Sequence, residues 1–311
     1  MAARRTANLG GLGLLVLTTV IWGATFPLVG QVVARVPPVQ LVAWRFALAA
    51  AVLLPWLRGG GGLRAALPGF AVGAANAAGF LLQTFALRTA SADVVAFLTG
   101  LSVVLVPAAH AVWRRRRPPG QVLAALGLGL VGLALLTTGG PLRWSPGDLL
   151  GAACAFLFAV QVLGTARLAG RVGATRLAAQ QVVAGAVLFG LAALVWHPAW
   201  LAPPPRSDWP VIGFLAVVAT VGTFALQTSG QARVDATTAA ITFNLEPVFA
   251  AVWAFALTGQ LLGGRGWAGA GLILIGMVLA ALAPGDPEAA PAQGALAAGP
   301  SRSDDAARDS V

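Results

Sequence analysis

Glu246 is the residue whose type and position most clearly favour chemistry. It lies near the middle of an otherwise uncharged apolar stretch, and Pro247 follows it directly. At 1.5 Å per residue it would be about 15 Å deep, close to the midplane of a bilayer core. A carboxylate at that depth is costly unless it is protonated, paired or hydrated. The sequence leaves two interpretations open: a permanently protonated structural group, or a proton-coupling or substrate-binding group in a wet cavity. Pro247 has no N–H, so a carbonyl near Phe243 is freed to line such a cavity.

Arg45 is a second charged residue inside an apolar segment. Counting from the segment end places it about 9 Å below the outer face. Its side chain either extends outward to the headgroups or faces a cavity and binds an anionic group. In the second case Trp22 and Trp44 are the predicted cation–π partners, because Trp22 lies at a similar depth.

Polar uncharged side chains form the rest of the predicted site. In membrane helices such residues often serve only to hold helices together. Their depths are more informative, since Arg45 and Gln83 fall in the predicted outer third and three glutamines fall in the inner third. The sequence therefore predicts two polar mouths around a central site. The further predicted cavity residues are Asn76, Gln83, Thr99, Gln180, Gln181, Gln227 and Asn244.

Three other features resemble known kinds of site but lack the required context. The GxGxxG match at 127–132 lies within an apolar segment without a preceding strand, so it does not predict a dinucleotide site. His110 and His197 lie at the ends of predicted helices on opposite sides of the membrane, too far apart for one metal site. Cys154 is the single cysteine, and we interpret it as a small buried apolar residue. No cofactor and no metal are expected.

The composition predicts an integral membrane protein. The chain is 58% hydrophobic and 10% charged, with a mean hydropathy of +0.82, whereas soluble domains carry about 25% charged residues. We interpret the first apolar segment as a retained helix and not as a signal peptide. The expected fold is all-α, with ten transmembrane helices of about 20 residues each. The predicted spans are 9–30, 39–57, 67–87, 92–112, 120–138, 148–167, 175–196, 209–229, 236–257 and 266–284.

An internal repeat organises these helices. Residues 80–107 match residues 224–251 at an offset of 144, including Phe80 with Phe224 and Gln83 with Gln227. A weaker match at an offset of 136 pairs Trp44-Arg45 with Gln180-Gln181. Each unit holds five helices, so the second unit must cross the membrane in the opposite orientation. The predicted parts are an N-terminus (1–8), two repeats (9–138 and 148–284) and a disordered tail (285–311).

The distribution of arginine predicts the topology. All twenty basic residues are arginine, and the net charge is +10. Counting from a cytoplasmic N-terminus puts fourteen arginines inside and five outside, with Arg45 within a helix. Positive residues accumulate on the cytoplasmic side, so we expect a multi-pass protein of the cytoplasmic (inner) membrane with both termini inside. The same distribution argues against nucleic acid as a partner.

Four motifs carry a resemblance to a known family: IWGATFPLV (21–29), VAWRFALAA (42–50), LTGLSVVLVP (98–107) and TFNLEPVFAA (242–251). With the ten-helix plan, they resemble an EamA-type member of the drug/metabolite transporter superfamily. The resemblance implies a two-lobed alternating-access carrier, often an exporter of amino acids or other small metabolites. It also implies a cavity formed by Trp22, Arg45, Asn244, Glu246 and Pro247. One departure concerns helix 4, where the usual proline aligned with Pro247 is Val103.

That departure predicts that the two halves bend at different depths, the first at Pro107 and the second at Pro247. These two prolines are the expected helix breaks. Because Pro107 lies four residues after the position aligned with Pro247, the bends are not expected to coincide.

The function predicted from these observations is secondary active transport. A small polar metabolite, such as an amino acid or related amine, would leave the cell by alternating access. Glu246 would be the protonatable group, and Arg45 would recognise the substrate or gate its passage. The expected partners are this substrate, the lipid bilayer and protons, and the carrier would act as a monomer or homodimer.

The alternative within the superfamily is a nucleotide-sugar or sugar-phosphate exchanger, which would require more basic residues in the cavity. An intramembrane enzyme needs clustered carboxylates or a nucleophile with a base, so no enzyme is expected. A purely structural membrane protein would not require a polar inverted repeat.

Overall fold

The computed structural model describes residues 2–57, 62–89, 95, 98–115, 117–137, 146–259 and 263–282. Every regular element within these residues is helical. The predicted tail (285–311) lies outside the described residues. So does most of the start of the fourth predicted span (92–112). The α-helices are α1 (Ala2–Val33), α2 (Pro38–Leu53), α3 (Gly62–Thr89), α4 (Ser102–Arg114), α5 (Gly120–Thr137), α6 (Pro146–Val172), α7 (Ala174–Trp196), α8 (Trp209–Ala216), α9 (Thr223–Gln231), α10 (Ala236–Phe243), α11 (Glu246–Thr258) and α12 (Gly264–Ala281).

Ten apolar stretches of these helices are candidates for contact with lipid. Seven are long and apolar enough to cross a membrane: Leu9–Val33, Pro38–Leu57, Ala66–Thr89, Leu149–Val172, Ala174–Trp196, Arg206–Gln231 and Ala236–Leu257. Three are shorter: Leu98–Ala109, Gly120–Leu135 and Gly264–Leu279. This is the architecture of a helical membrane protein. The count of ten complete spans stays a prediction.

Two stretches predicted as single helices are interrupted. The stretch at 209–229 contains a π-helical turn, Val217–Gly222, between α8 and α9. The stretch at 236–257 is divided between α10 and α11, where Leu245 N–H bonds to the Thr242 carbonyl at 3.0 Å in a tighter turn. Pro247 lies in the first turn of α11, where its missing N–H costs no helical hydrogen bond within α11.

The first repeat has a break at the corresponding place, so the prediction of different bending depths is wrong. Leu101, the counterpart of Leu245 at the offset of 144, bonds to the Leu98 carbonyl at 3.1 Å just before α4 begins. Pro107 is not the break, because α4 continues through it. Gly100 precedes Leu101, and glycine weakens a helix by about 1 kcal/mol relative to alanine. A proline is therefore not needed at this position.

The helices pack in two groups that the repeat relates to each other. In the first group α6 packs against α3 and α4, and in the second α1 packs against α9 and α11. The sequence offsets match α1 with α6, α3 with α8–α9, and α4 with α10–α11, so one group corresponds to the other. Between them the matched aromatic residues Phe80 and Phe224 stack, with ring centroids 6.4 Å apart. The pairs α2–α7 and α5–α12 flank the two groups.

Small residues allow a close contact between α5 and α12. A Cβ atom added at Gly132 would lie 2.6 Å from the Gly269 carbonyl oxygen, and one added at Gly276 would lie 2.9 Å from the Ala125 carbonyl oxygen. Gly132 and Gly276 are themselves matched by the offset of 144. The backbones thus approach closely at two related positions, as in many membrane helix pairs.

The variant Gly132→Ala is expected to lower the free energy of unfolding by about 1–3 kcal/mol, because the added methyl group collides with backbone of α12. Gly127→Ala is the matched control, since nothing lies within 4 Å of a Cβ atom added there. Thermal unfolding in detergent measures both. Equal melting temperatures for the two variants would contradict close contact between α5 and α12.

Candidate functional site

A cavity lies between the two related helix groups. It encloses about 750 Å³ of empty space, counting the part open to solvent. Each group supplies half of its wall, which places the cavity at the interface of the two repeats. The lining residues are Trp22, Thr25, Phe26, Asn76, Phe80, Gln83, Thr99, Gly100, Ser102, Phe158, Gln161, Val162, Gln227, Ala240, Phe243, Asn244, Glu246 and Pro247.

Glu246 reaches this cavity from the break between α10 and α11. It is the first residue of α11 and is partly buried, in a position where the helix dipole favours negative charge. Among the described residues it has neither a hydrogen-bond partner nor an ion-pair partner. Asn244, two residues earlier, is 3% exposed, and its Oδ1 atom is buried without a hydrogen-bond donor. Two residues with oxygen acceptors therefore line the cavity at the break.

Aromatic rings form much of the remaining wall. Trp22 of α1 lies against Phe243 of α10, with ring centroids 5.4 Å apart. Phe80 of α3 meets Phe158 of α6 edge to face at 5.5 Å. Phe26 completes this set of five rings around the polar groups. The cavity thus combines large apolar faces with a few polar groups, the usual composition of a small-molecule site.

Amide side chains close the cavity on one side, where α9 ends and α10 begins. Gln227 Nε2 donates to Gln161 Oε1 at 3.2 Å, and Gln231 Nε2 donates to the Val162 carbonyl at 3.0 Å. Both bonds join α9 to α6 and so connect the two helix groups. An apolar cluster beside them includes Val106 and Ala240. We refer to these bonds and this cluster as the amide barrier.

Arg45 neither extends to the headgroups nor lines the cavity. Its side chain is 4% exposed, and the guanidinium donates from Nε to Thr220 Oγ1 at 2.7 Å and from Nη2 to the Ala219 carbonyl at 2.9 Å. Its cation–π partners are Phe80 and Phe46, at 5.0 and 5.7 Å from the ring centroids, and not the predicted tryptophans. The reason is the π-helical turn, which presents a carbonyl toward α2.

A chain of hydrogen bonds connects Arg45 to the cavity wall. The Ala219 carbonyl that accepts from Arg45 also accepts from Thr223 Oγ1 at 2.9 Å. Thr223 Oγ1 in turn accepts from Trp22 Nε1 at 3.0 Å. Arg45 is thus a positioning residue, connected to Trp22 through three hydrogen bonds, and it holds the π-helical turn in place.

Three further predicted cavity residues also lie outside the lining. Trp44 Nε1 donates to the Ala202 carbonyl at 2.9 Å and packs against Trp209, because it faces the α7–α8 connection. Gln180 is fully buried against Gly69. Gln181 accepts from Gln161 Nε2 at 2.8 Å and so orients a lining residue from behind.

The structure brings together the other predicted residues. Those in the lining are Trp22, Asn76, Gln83, Thr99, Gln227, Asn244, Glu246 and Pro247. The sequence reasoning missed Phe158 and Gln161, although a signal was present. The offset of 136 that pairs Trp44 with Gln180 also pairs Trp22 with Phe158 and Thr25 with Gln161.

Comparison with known proteins now identifies the family. A model of the EamA-like transporter family matches twice, over residues 9–138 and 145–282. The chain belongs to the EamA-like transporter family. It is therefore a multi-pass membrane protein of the drug/metabolite transporter type, as the motifs predicted. The matching family and the similar protein from Archaeoglobus fulgidus reported below are both described as transporters.

Two individual proteins support this assignment. An uncharacterized transporter from Archaeoglobus fulgidus is 29% identical over 287 residues, which cover 90% of this chain and 87% of that protein. A crystal structure of a protein with 22% identity superposes with a TM-score of 0.71, covering 86% of this chain and 95% of that one. At that identity the superposition shows a shared fold.

The contact between Arg45 and the π-helical turn predicts energetic coupling between Arg45 and Thr220. Residues in one hydrogen-bond network show interaction energies of about 0.5–3 kcal/mol. We expect the stability losses of Arg45→Met and Thr220→Val to deviate from additivity by this amount in the double variant. Free energies of unfolding in mixed micelles measure it.

Thr18→Val provides the control, because the Thr18 hydroxyl bonds to the Leu14 carbonyl within its own helix. Its effect should add to that of Arg45→Met within about 0.5 kcal/mol. Additive behaviour of the Arg45 and Thr220 variants would remove the basis for a positioning role.

Proposed function

We propose that the protein is a secondary active transporter that exports small polar metabolites, amino acids or related amines, across the cytoplasmic membrane. The observation that carries this proposal is Glu246, an acidic group at a helix break that opens into a cavity between two repeat-related helix groups. Family membership supports transport, and the lining supports a small organic substrate. Both termini are proposed to be cytoplasmic, as the arginine distribution predicts.

Alternating access follows from the relation between the two groups. The repeat matches α6 with α1 and α4 with α10–α11, so each group can take the arrangement of the other. In the predicted topology the amide barrier lies on the cytoplasmic side. Its repeat counterpart on the other side would use Gln83, which matches Gln227, and Thr25, which matches Gln161. Breaking one barrier and forming the other would open the cavity to one side of the membrane and close it to the other.

Glu246 is proposed to carry the coupling proton. A carboxylate near the midplane is stable only with a proton, a counter-ion or water, and the described residues supply it with no ion-pair partner. It can therefore exchange a proton for substrate or water as the cavity changes sides. The break between α10 and α11 gives it access to the cavity that a continuous helix would restrict.

An exchanger of nucleotide sugars or sugar phosphates is disfavoured by the same geometry. The described lining contains no arginine or lysine, and phosphate recognition usually depends on such residues. Arg45, the basic residue predicted for this role, donates to Thr220 and Ala219. The site thus offers no fixed positive charge to a dianionic phosphate.

The variant Glu246→Gln is expected to abolish substrate flux driven by a pH gradient, because glutamine keeps the shape of the side chain but cannot carry a proton. Uptake of labelled amino acids and amines into proteoliposomes, with and without the gradient, measures this. The expected reduction is at least about tenfold, as for loss of an essential proton-transfer group.

Asp235→Asn is the matched control. Asp235 caps α10 by accepting from the Thr238 N–H at 2.9 Å, and asparagine caps helices equally well. Its gradient-driven flux should equal that of the unmodified protein. Full flux in Glu246→Gln would leave Glu246 with a structural role only, while equal loss in both variants would point to general damage.

Cross-linking tests alternating access. Cysteines replacing Gln161 and Gln227, in a Cys154→Ala background, would be joined by a short bis-methanethiosulfonate reagent because their side chains are in contact. The link should stop flux by holding the amide barrier closed, and a reducing agent should restore it. Each single cysteine variant controls for the reagent, and continued flux in the linked protein would refute movement at this barrier.

A further inference from the structure

We propose that the cavity selects organic monocations with an apolar or aromatic body, and rejects amino acids that keep their carboxylate. This inference rests on the proposed function and narrows its substrate class. It follows from three properties of the lining: its charge, its aromatic faces, and the hydrogen bonds already made by its donors.

The ionisable group in the described lining is acidic. Glu246 is the one ionisable carboxyl group among the described lining residues, and these include no arginine, lysine or histidine. Beside it, Asn244 Oδ1 is a buried acceptor without a donor. An ammonium group supplies both a positive charge and N–H donors, and so suits an acidic group and an acceptor without a donor.

The aromatic faces suit the same ligand. Trp22 and Phe243 line the same cavity as Glu246 and Asn244, and their ring centroids lie 5.4 Å apart with the ring planes inclined at 49°. Rings of this kind attract a desolvated cation and also accept an apolar body. A carboxylate gains nothing from the negative face of a ring. These walls therefore favour the ammonium group of a zwitterion and not its carboxylate.

Several of the donors that a substrate carboxylate would need are already engaged. Gln161 Nε2 donates to Gln181 Oε1 and Thr165 Oγ1, and Gln227 Nε2 donates to Gln161. Trp22 Nε1 is bonded to Thr223. Asn76 and Gln83 offer neutral amides without a charge.

Arg45 does not replace them. Its guanidinium lies over the ring of Phe80, a residue of the cavity wall, and is bonded to the π-helical turn. A carboxylate in the cavity would therefore lose its hydration without an ion pair, and burying an unpaired charge is strongly unfavourable.

Three ligands that share a phenyl group test the inference: phenethylamine (a cation), phenylalanine (a zwitterion) and 3-phenylpropanoate (an anion). Equilibrium dialysis against the purified full chain in detergent at pH 7 measures their binding. Phenethylamine should bind at least about tenfold more tightly than phenylalanine, because only the latter buries an unpaired carboxylate. The propanoate should bind most weakly of the three.

Two variants locate this preference. Glu246→Gln should weaken phenethylamine binding at least about tenfold, because the ammonium group loses the acidic side chain of the described lining. Trp22→Ala should weaken phenethylamine binding roughly 2- to 30-fold, the range of a cation–π contact. Trp267→Ala is the matched control, because this side chain is 62% exposed on α12 and away from the lining, and its affinity should be unchanged.

The outcomes separate this inference from the proposed function. Phenylalanine binding as tightly as phenethylamine would overturn the inference and leave a transporter of amino acids. Absence of binding by all three ligands would overturn it as well. Selective phenethylamine binding without any gradient-driven flux in proteoliposomes would keep the cation site and overturn the carrier.

Discussion

Hydrocarbon offers no hydrogen-bond partners, so every polar group between the two faces of the membrane must find one within the protein or in a cavity. The described structure meets this constraint unevenly. Long stretches of α3, α6 and α7 satisfy their backbone internally. Irregular backbone occurs at the π-helical turn, where Arg45 and Thr223 donate to a carbonyl, and at the break before Glu246, which lines the cavity. Of the described polar side chains with an unsatisfied atom, Asn244 lines the cavity, whereas Gln180 is buried outside it.

The sequence predicted many of the cavity residues but not the direction of each side chain. Counting 1.5 Å per residue places Glu246, Asn76 and Asn244 near the midplane, and all three line the cavity. The same counting gives no rotation about the helix axis. Arg45 and Trp44 are neighbours in sequence, yet one faces the π-helical turn and the other the α7–α8 connection. Rotation depends on which helices pack together, and this information lies in contacts distant in sequence.

The irregular turns were equally hard to predict. Proline is the familiar signal of a broken helix, but Pro107 lies inside α4 and the break at Leu101 has no proline. The π-helical turn contains mostly small and β-branched residues, which occur in regular helices too. Only the internal repeat carried the missing information, because it related Leu101 to Leu245 and Trp22 to Phe158. A symmetry in the sequence was a better guide here than local propensity.

The stacked pair Phe80 and Phe224 has one more consequence. The two rings belong to matched positions, so an exchange of arrangements between the repeats carries each ring into the place of the other. Their contact is the same before and after such an exchange, whereas the amide barrier must open. In the proposed exchange the pair, 6.4 Å between centroids, would lie at the pivot, and the two helix groups would turn about it without loss of packing at the centre.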